Sequence, residues 1–259
     1  MQQHVSFPVF GQNDYFNYKN PQTLENRMPV VDAKKKTQDP IVTGTSVIAI
    51  KYNGGVVMGT DMLCSYGSLA RFNSIQRMEK FGSYTIIGAG GELSDFQSLS
   101  NTLNDLVTLD HCIDDGSKLS PSEIYNYVAR VMYNHRNKGD PLWNSLVVMG
   151  YQNGSSFLGK VDLVGTCFKD DIVCTGYGAH IALPLMRKAA LDNPNMNLEQ
   201  AKKLIEDCLR VLFYRDARSS KKIQISVANE NGLEISEPIE LDTYMWQSGE
   251  AAVKSFSQV

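Results

Sequence analysis

The sequence predicts an α+β protein built as a four-layer αββα sandwich of two antiparallel sheets. Three pairs of β-branched, apolar runs are each joined by a short Asn/Gly turn, around Asn53-Gly54-Gly55, Asn153-Gly154 and Asn231-Gly232, and such turns accept the positive φ angles of a tight hairpin. Between them stand two pairs of segments with helical period, so the order is strands, two helices, strands, two helices, strands. Antiparallel hairpins separated by helix pairs cannot form a parallel βαβ fold; the compact solution stacks two sheets with a helical layer outside each.

In chain order, residues 1–36 mix Phe7, Phe10, Tyr15, Phe16 and Tyr18 with Asn, Gln and Pro. They carry neither strand nor helix period, which predicts a flexible leader. Pro40 biases Asp39 towards an extended conformation, and the first hairpin follows, with runs Thr45 to Ile50 and Val56 to Thr60. Ser65 to Phe72, rich in small residues, is expected to be a loop. Strand-like pieces at Met78 to Phe81 and Tyr84 to Ile87 come next, and Gly88-Ala89-Gly90-Gly91 is expected to break the strand, leaving bare backbone that could lie against a substrate or another chain.

The period then changes. Phe96, Leu99, Leu103, Leu106 and Val107 recur at helical spacing behind Ser94 as N-cap. Ser120-Pro121-Ser122-Glu123 is a capping box with proline in the first turn, opening a helix whose apolar face is Ile124, Tyr127, Val128, Val131 and Met132. Ser145 to Met149 and Ser156 to Val164 form the second hairpin. Ala179 to Leu191 and an Asn197-capped helix form the second helical pair, and Ile223 to Ala228 with Leu233 to Ser236 form the third hairpin.

Composition narrows the function. A net charge of −3 with basic runs only at Lys34-Lys35-Lys36 and Lys221-Lys222 gives no basic surface for nucleic acid or an anionic membrane. No apolar run approaches the about 20 residues of a membrane helix, and Met1 to Phe10 carry no basic n-region followed by an apolar core, so a secretory signal is not expected. Five cysteines, without C-x-x-C spacing, read as reduced thiols and point to a cytoplasmic or nuclear protein. His4, His111, His135 and His180 lack metal-ligand spacing, no G-x-S-x-G turn is present, and no cofactor is implied.

One stretch carries chemistry. A Gly44-Thr45 junction opens the first hairpin and Asp61 closes it, while Gly90-Gly91, Thr175-Gly176-Tyr177-Gly178-Ala179 and Tyr214-Arg215-Asp216-Ala217-Arg218-Ser219-Ser220 stand further on. Together these resemble the beta subunits of the proteasome, members of the N-terminal-nucleophile hydrolases, over Thr37 to about Ser236. In active members, autolysis after the glycine frees a threonine whose hydroxyl attacks the peptide carbonyl while its α-amino group takes the proton. The resemblance therefore implies the αββα fold and puts Thr45 at the nucleophile position, Asp61 beside it, Gly91 at the oxyanion, and Asp216 and Ser219 in support of the amine.

The same resemblance marks departures. Arg77 falls where active subunits carry a lysine, and its guanidinium, with a pKa above about 12, is a poor proton-transfer group. Tyr177 falls where they carry a compact serine, which is expected to set a ring beside the amine position. Thr37-Gln38-Asp39-Pro40-Ile41-Val42-Thr43-Gly44, Gly67-Ser68-Leu69-Ala70-Arg71-Phe72 and Asp140-Pro141-Leu142-Trp143-Asn144 resemble a non-catalytic member of the family, in which processing falls between Lys36 and Thr37. A threonine preceded by retained residues has an amide nitrogen and no base, whereas a free α-amino group, with a pKa near about 8, would serve as one.

The resemblance thus implies a structural subunit with a vestigial site, organised as leader 1–36, subunit domain 37–236 and C-terminal extension 237–259. The alternative is an active threonine protease subunit with Thr45 freed. Implied partners are beta subunits of the same and the opposite ring and alpha subunits. In the extension, Tyr244, Met245 and Trp246 are costly to leave in water and are expected to anchor on another subunit.

Overall fold

A computed structural model of the chain describes residues 39–113 and 115–242. The expected leader 1–36, which ends at Lys36, and Thr37 after it, with Tyr244, Met245 and Trp246 of the extension, lie outside the described residues.

Two antiparallel sheets make up the centre. One contains β1 (Val42–Gly44), β4 (Cys64–Tyr66), β5 (Leu69–Phe72), β6 (Met78–Phe81), β7 (Thr85–Glu92), β8 (Asn144–Gln152), β9 (Ser155–Val161) and β10 (Cys167–Lys169), in the order β10-β9-β8-β7-β1-β4-β5 with β6 also on β7. The other contains β2 (Val47–Tyr52), β3 (Gly55–Asp61), β11 (Ile172–Cys174), β12 (Lys222–Asn229), β13 (Gly232–Ile235) and β14 (Ile239–Glu240), in the order β11-β2-β3-β12-β13 with β14 on β12.

Alternation along the strands assigns each face. In β2, Val47 and Ala49 join Met58, Ile86, Val147 and Met149 in a core between the sheets. Ile48 and Ile50 point the other way, into a core with Ala182 and Met186 of α3 (Gly178–Asp192) and Ile205, Leu209 and Leu212 of α4 (Leu198–Arg215). On the first sheet, Ile87, Leu146 and Val148 face Phe96, Leu99 and Leu103 of α1 (Leu93–Ile113) and Ile124, Val128 and Met132 of α2 (Pro121–Asn137). The layers are therefore helices, sheet, sheet, helices, as the sequence predicts. Because both faces of β2 and β3 are covered, their apolar runs are continuous, and a one-residue slip would exchange the two cores.

Local chemistry sets the boundaries. Ser120 with Glu123 and Asn197 with Gln200 form complete capping boxes. Asn153 and Gly154 both take positive φ, +52° and +76°, the combination a type I′ hairpin turn requires. On α2, Tyr127 and Val131 of the expected face pack partly buried against the core, and Tyr125, which the spacing did not point to, is buried with them. The helix α1 starts at Leu93, ahead of the expected Ser94 cap, and the Ser94 hydroxyl instead donates to Glu92 Oε1 at 3.0 Å.

Three expectations are corrected. Residues 65–72 are not a loop: Gly67, with φ +59°, turns β4 into β5, a hairpin hidden by the full exposure of β5. Gly88 to Gly91 do not break a strand, since β7 runs through them to Glu92. A side chain at Gly88 would meet Met58 Sδ at 2.7 Å and one at Gly90 would meet Thr45 O at 2.6 Å, so these glycines let the two sheets approach. Finally, Thr45 does not begin a strand of the first hairpin: β1 belongs to one sheet and β2 to the other, and Thr45 and Ser46 are the step between them.

The cysteines are all free, with Cys64, Cys174 and Cys208 buried. Burial pushes the Cys174 and Cys208 thiols up to about 12, so neither is a nucleophile near neutral pH.

Candidate functional site

Val42 to Gly44 form a strand with a neighbour on each side. Gly44 opposes Cys64 on β4 and Gly91 on β7, so the residue ahead of Thr45 is locked inside a sheet. The half-buried side chain of Thr45 donates a hydrogen bond from Oγ1 to Asp216 Oδ2. Asp216 itself caps the C-terminus of α4, and its Oδ1 accepts the Arg218 amide at 2.9 Å. The Ser219 hydroxyl donates to the carbonyls of Asp216 at 2.8 Å and Leu212 at 3.2 Å. It serves the turn after α4; Asp216 alone of the two reaches Thr45.

Arg77 ties the step together. It is 2 % exposed, and its Nε donates to Asp61 O at 3.0 Å. Nη1 donates to Thr45 O at 3.0 Å and Ala89 O at 2.9 Å, and Nη2 donates to Ser46 O at 3.1 Å and to Asp61 Oδ1. All five N–H groups of the guanidinium are thus used. A Cβ at Gly44 would lie 2.5 Å from Arg77 Cδ, so the glycine before Thr45 is also the space through which this side chain passes.

Asp61 completes the pair. Its Oδ2 accepts the amides of Leu63 at 3.2 Å and Ser220 at 3.1 Å. Burial pushes its carboxyl up, while Arg77 and those two amides pull it down. Asp61 and Arg77 form a buried ion pair, and the carboxylate oxygens face the guanidinium and main chain.

Gly91 opposes Gly44 on one side and Asn144 on the other. It takes φ +93°, and a Cβ there would lie 2.0 Å from Trp143 O. Tyr177 stands at the N-terminus of α3 without a side-chain capping bond, and the residue is 60 % exposed. The ring faces outward rather than filling the place at Thr45, and the local bond is supplied by Ser46, whose Oγ accepts the Gly178 amide at 2.9 Å.

Sequence reasoning missed Ser46, Thr175 and Glu92. Thr175 Oγ1 accepts the Val47 amide at 2.9 Å, fixing the start of β2. Glu92 is buried, and its carboxylate accepts the amides of Ile41 and Val42. The array holds the Thr45 hydroxyl on the Asp216 carboxylate and a guanidinium fixed on Asp61. Among the described residues no cluster of three or more His, Cys, Asp or Glu could hold a metal ion.

A four-layer αββα sandwich with a threonine at the step between its sheets defines the class, and comparison agrees. The family model for proteasome subunits matches residues 41–228, and the chain belongs to that family. It is 75 % identical to proteasome subunit beta type-4 of Dictyostelium discoideum over 257 residues, covering 99 % of both chains. It is 46 % identical to the beta type-4 subunit of Arabidopsis thaliana over 216 residues, 83 % of this chain and 87 % of that one. Against proteasome subunit beta type-7 of Saccharomyces cerevisiae it is 42 % identical over 219 residues, 81 % of this chain and 82 % of that one.

Proposed function

We propose that this chain is a structural, non-catalytic beta subunit of the 20S proteasome core particle. It contributes to ring assembly, to the wall of the proteolytic chamber and to the joining of the two beta rings in ATP- and ubiquitin-dependent protein degradation. Its family membership and its near full-length similarity to a beta type-4 subunit support the assembly role. The observation that supports the non-catalytic reading is the strand Val42–Gly44: it is paired on both edges, and while these residues stay attached the Thr45 nitrogen is an amide that cannot accept a proton.

On this reading a leader is removed between Lys36 and Thr37, and Thr37 to Gly44 stay attached. Partners are neighbouring beta subunits, alpha subunits and, through Tyr244, Met245 and Trp246, subunits of the facing beta ring. The particle works in cytoplasm and nucleus.

The rival is an active threonine protease subunit, for which the bond from Thr45 Oγ1 to Asp216 is the one favourable feature. Replacing Thr45 with alanine separates the two. Every peptidase activity of the purified particle should remain within error of wild type, and selective loss of one activity would establish Thr45 as a nucleophile.

A further inference from the structure

We propose that Glu92 is a positioning residue that fixes where trimming of the N-terminal segment stops. The proposal rests on the reading that a leader is removed ahead of Thr45, and it adds the device that sets the limit. Glu92 ends β7, and its side chain is 7 % exposed. Its main chain is pinned from both directions: its amide donates to Trp143 O at 2.9 Å, and its carbonyl accepts Asn144 Nδ2 at 2.7 Å.

The carboxylate is therefore presented in a fixed place, and it is turned on the incoming strand. Oε2 accepts the amides of Ile41 and, at 3.1 Å, Val42, while Oε1 accepts the Ser94 hydroxyl at 3.0 Å. Bonds from amides to an ionised carboxylate are about twice as strong as neutral ones. The carbonyl of Ile41 is held as well, by the Gly67 amide at 3.2 Å. From Ile41 onward the backbone is thus closed, first by Glu92 and then by the ladders of β1 with β4 and β7, whereas Asp39 and Pro40 are exposed.

A protease must draw its substrate out into an extended strand, and residues already built into a sheet become available only through local unfolding. Cleavage is therefore confined to bonds ahead of Ile41. Glu92 thus keeps Ile41 and the residues after it from being trimmed by another protease.

The test is the start of this chain, read by intact mass from assembled particles carrying wild type, Glu92→Ala, Glu92→Gln or Ile41→Pro. Wild type should start between Thr37 and Ile41. Glu92→Ala should give ends downstream of Ile41, and Glu92→Gln, whose amide oxygen can still accept both N–H groups while its NH2 meets Ser94, should restore the wild-type start. Ile41→Pro deletes one donor without touching the interior and should reproduce the ragged ends; it decides alone if Glu92→Ala is not recovered in particles. A wild-type start in all variants overturns the role of Glu92 and leaves leader removal standing. A wild-type chain still carrying residues 1–36 overturns both.

Discussion

Replacing Arg77 with alanine is expected to destabilise the chain by about 3–5 kcal/mol, the range for removing one partner of a buried ion pair. The loss has two physical sources. Asp61 would keep a buried carboxylate without its cation, and four carbonyls, those of Thr45, Ser46, Asp61 and Ala89, would lose their donor. The urea midpoint of the chain, or its yield in assembled particles, measures the effect. Arg77→Lys should fall between wild type and alanine, because an ammonium has three donors for sites that now occupy five; each buried acceptor left unmade costs about 1–3 kcal/mol. Restoring the lysine of active subunits should also fail to create peptidase activity, since the nitrogen of Thr45 stays an amide. Wild-type stability in Arg77→Ala would show that the guanidinium does not hold the step between the sheets.

Gly91→Ala should be nearly as damaging. A φ of +93° is outside the range an alanine adopts without strain, which by itself costs on the order of 1–3 kcal/mol. The added methyl would also stand 2.0 Å from Trp143 O, a rigid backbone atom next to the Glu92 amide bond. We expect a total loss of about 3 kcal/mol or more, read as a lowered urea midpoint. Gly67→Ala is the control: its φ is +59° with nothing within 4 Å of the new Cβ, so only the left-handed backbone penalty of about 1–2 kcal/mol applies. Equal losses at both glycines would mean that contact with Trp143 is not what excludes a side chain.

Layering was readable because each signal that set it is local. The Asn153-Gly154 turn, the Ser120/Glu123 and Asn197/Gln200 capping boxes and the unbroken apolar run Val47 to Ile50 are each written within a few residues. What escaped depends on distant backbone. Residues 88–91 look like a strand breaker until Met58, Thr45 O and Trp143 O are placed against them, at which point their missing side chains become the reason the strand can pass. The short strands β10, β11 and β14 carry three, three and two residues, too few for a period to register.

For the candidate site, the family pattern brought Thr45, Asp61, Arg77, Gly91 and Asp216 to one place, and the structure joins them through Arg77, β1 and the Thr45 hydroxyl. Ser219 and Tyr177 are nearby in sequence role only, the first spent on the turn after α4 and the second turned outward. Glu92 could not be assigned, because its partners are main-chain amides at 41 and 42, and an amide has no sequence signature.

One bond decides the matter most directly: the peptide between Gly44 and Thr45. Particles should be treated with an electrophile that labels N-terminal threonines, and the mass of this chain measured before and after. The expected result is a chain that starts upstream of Thr45, at Thr37, and gains no mass. A chain that begins at Thr45 and carries the adduct would contradict the reading of a blocked, structural subunit.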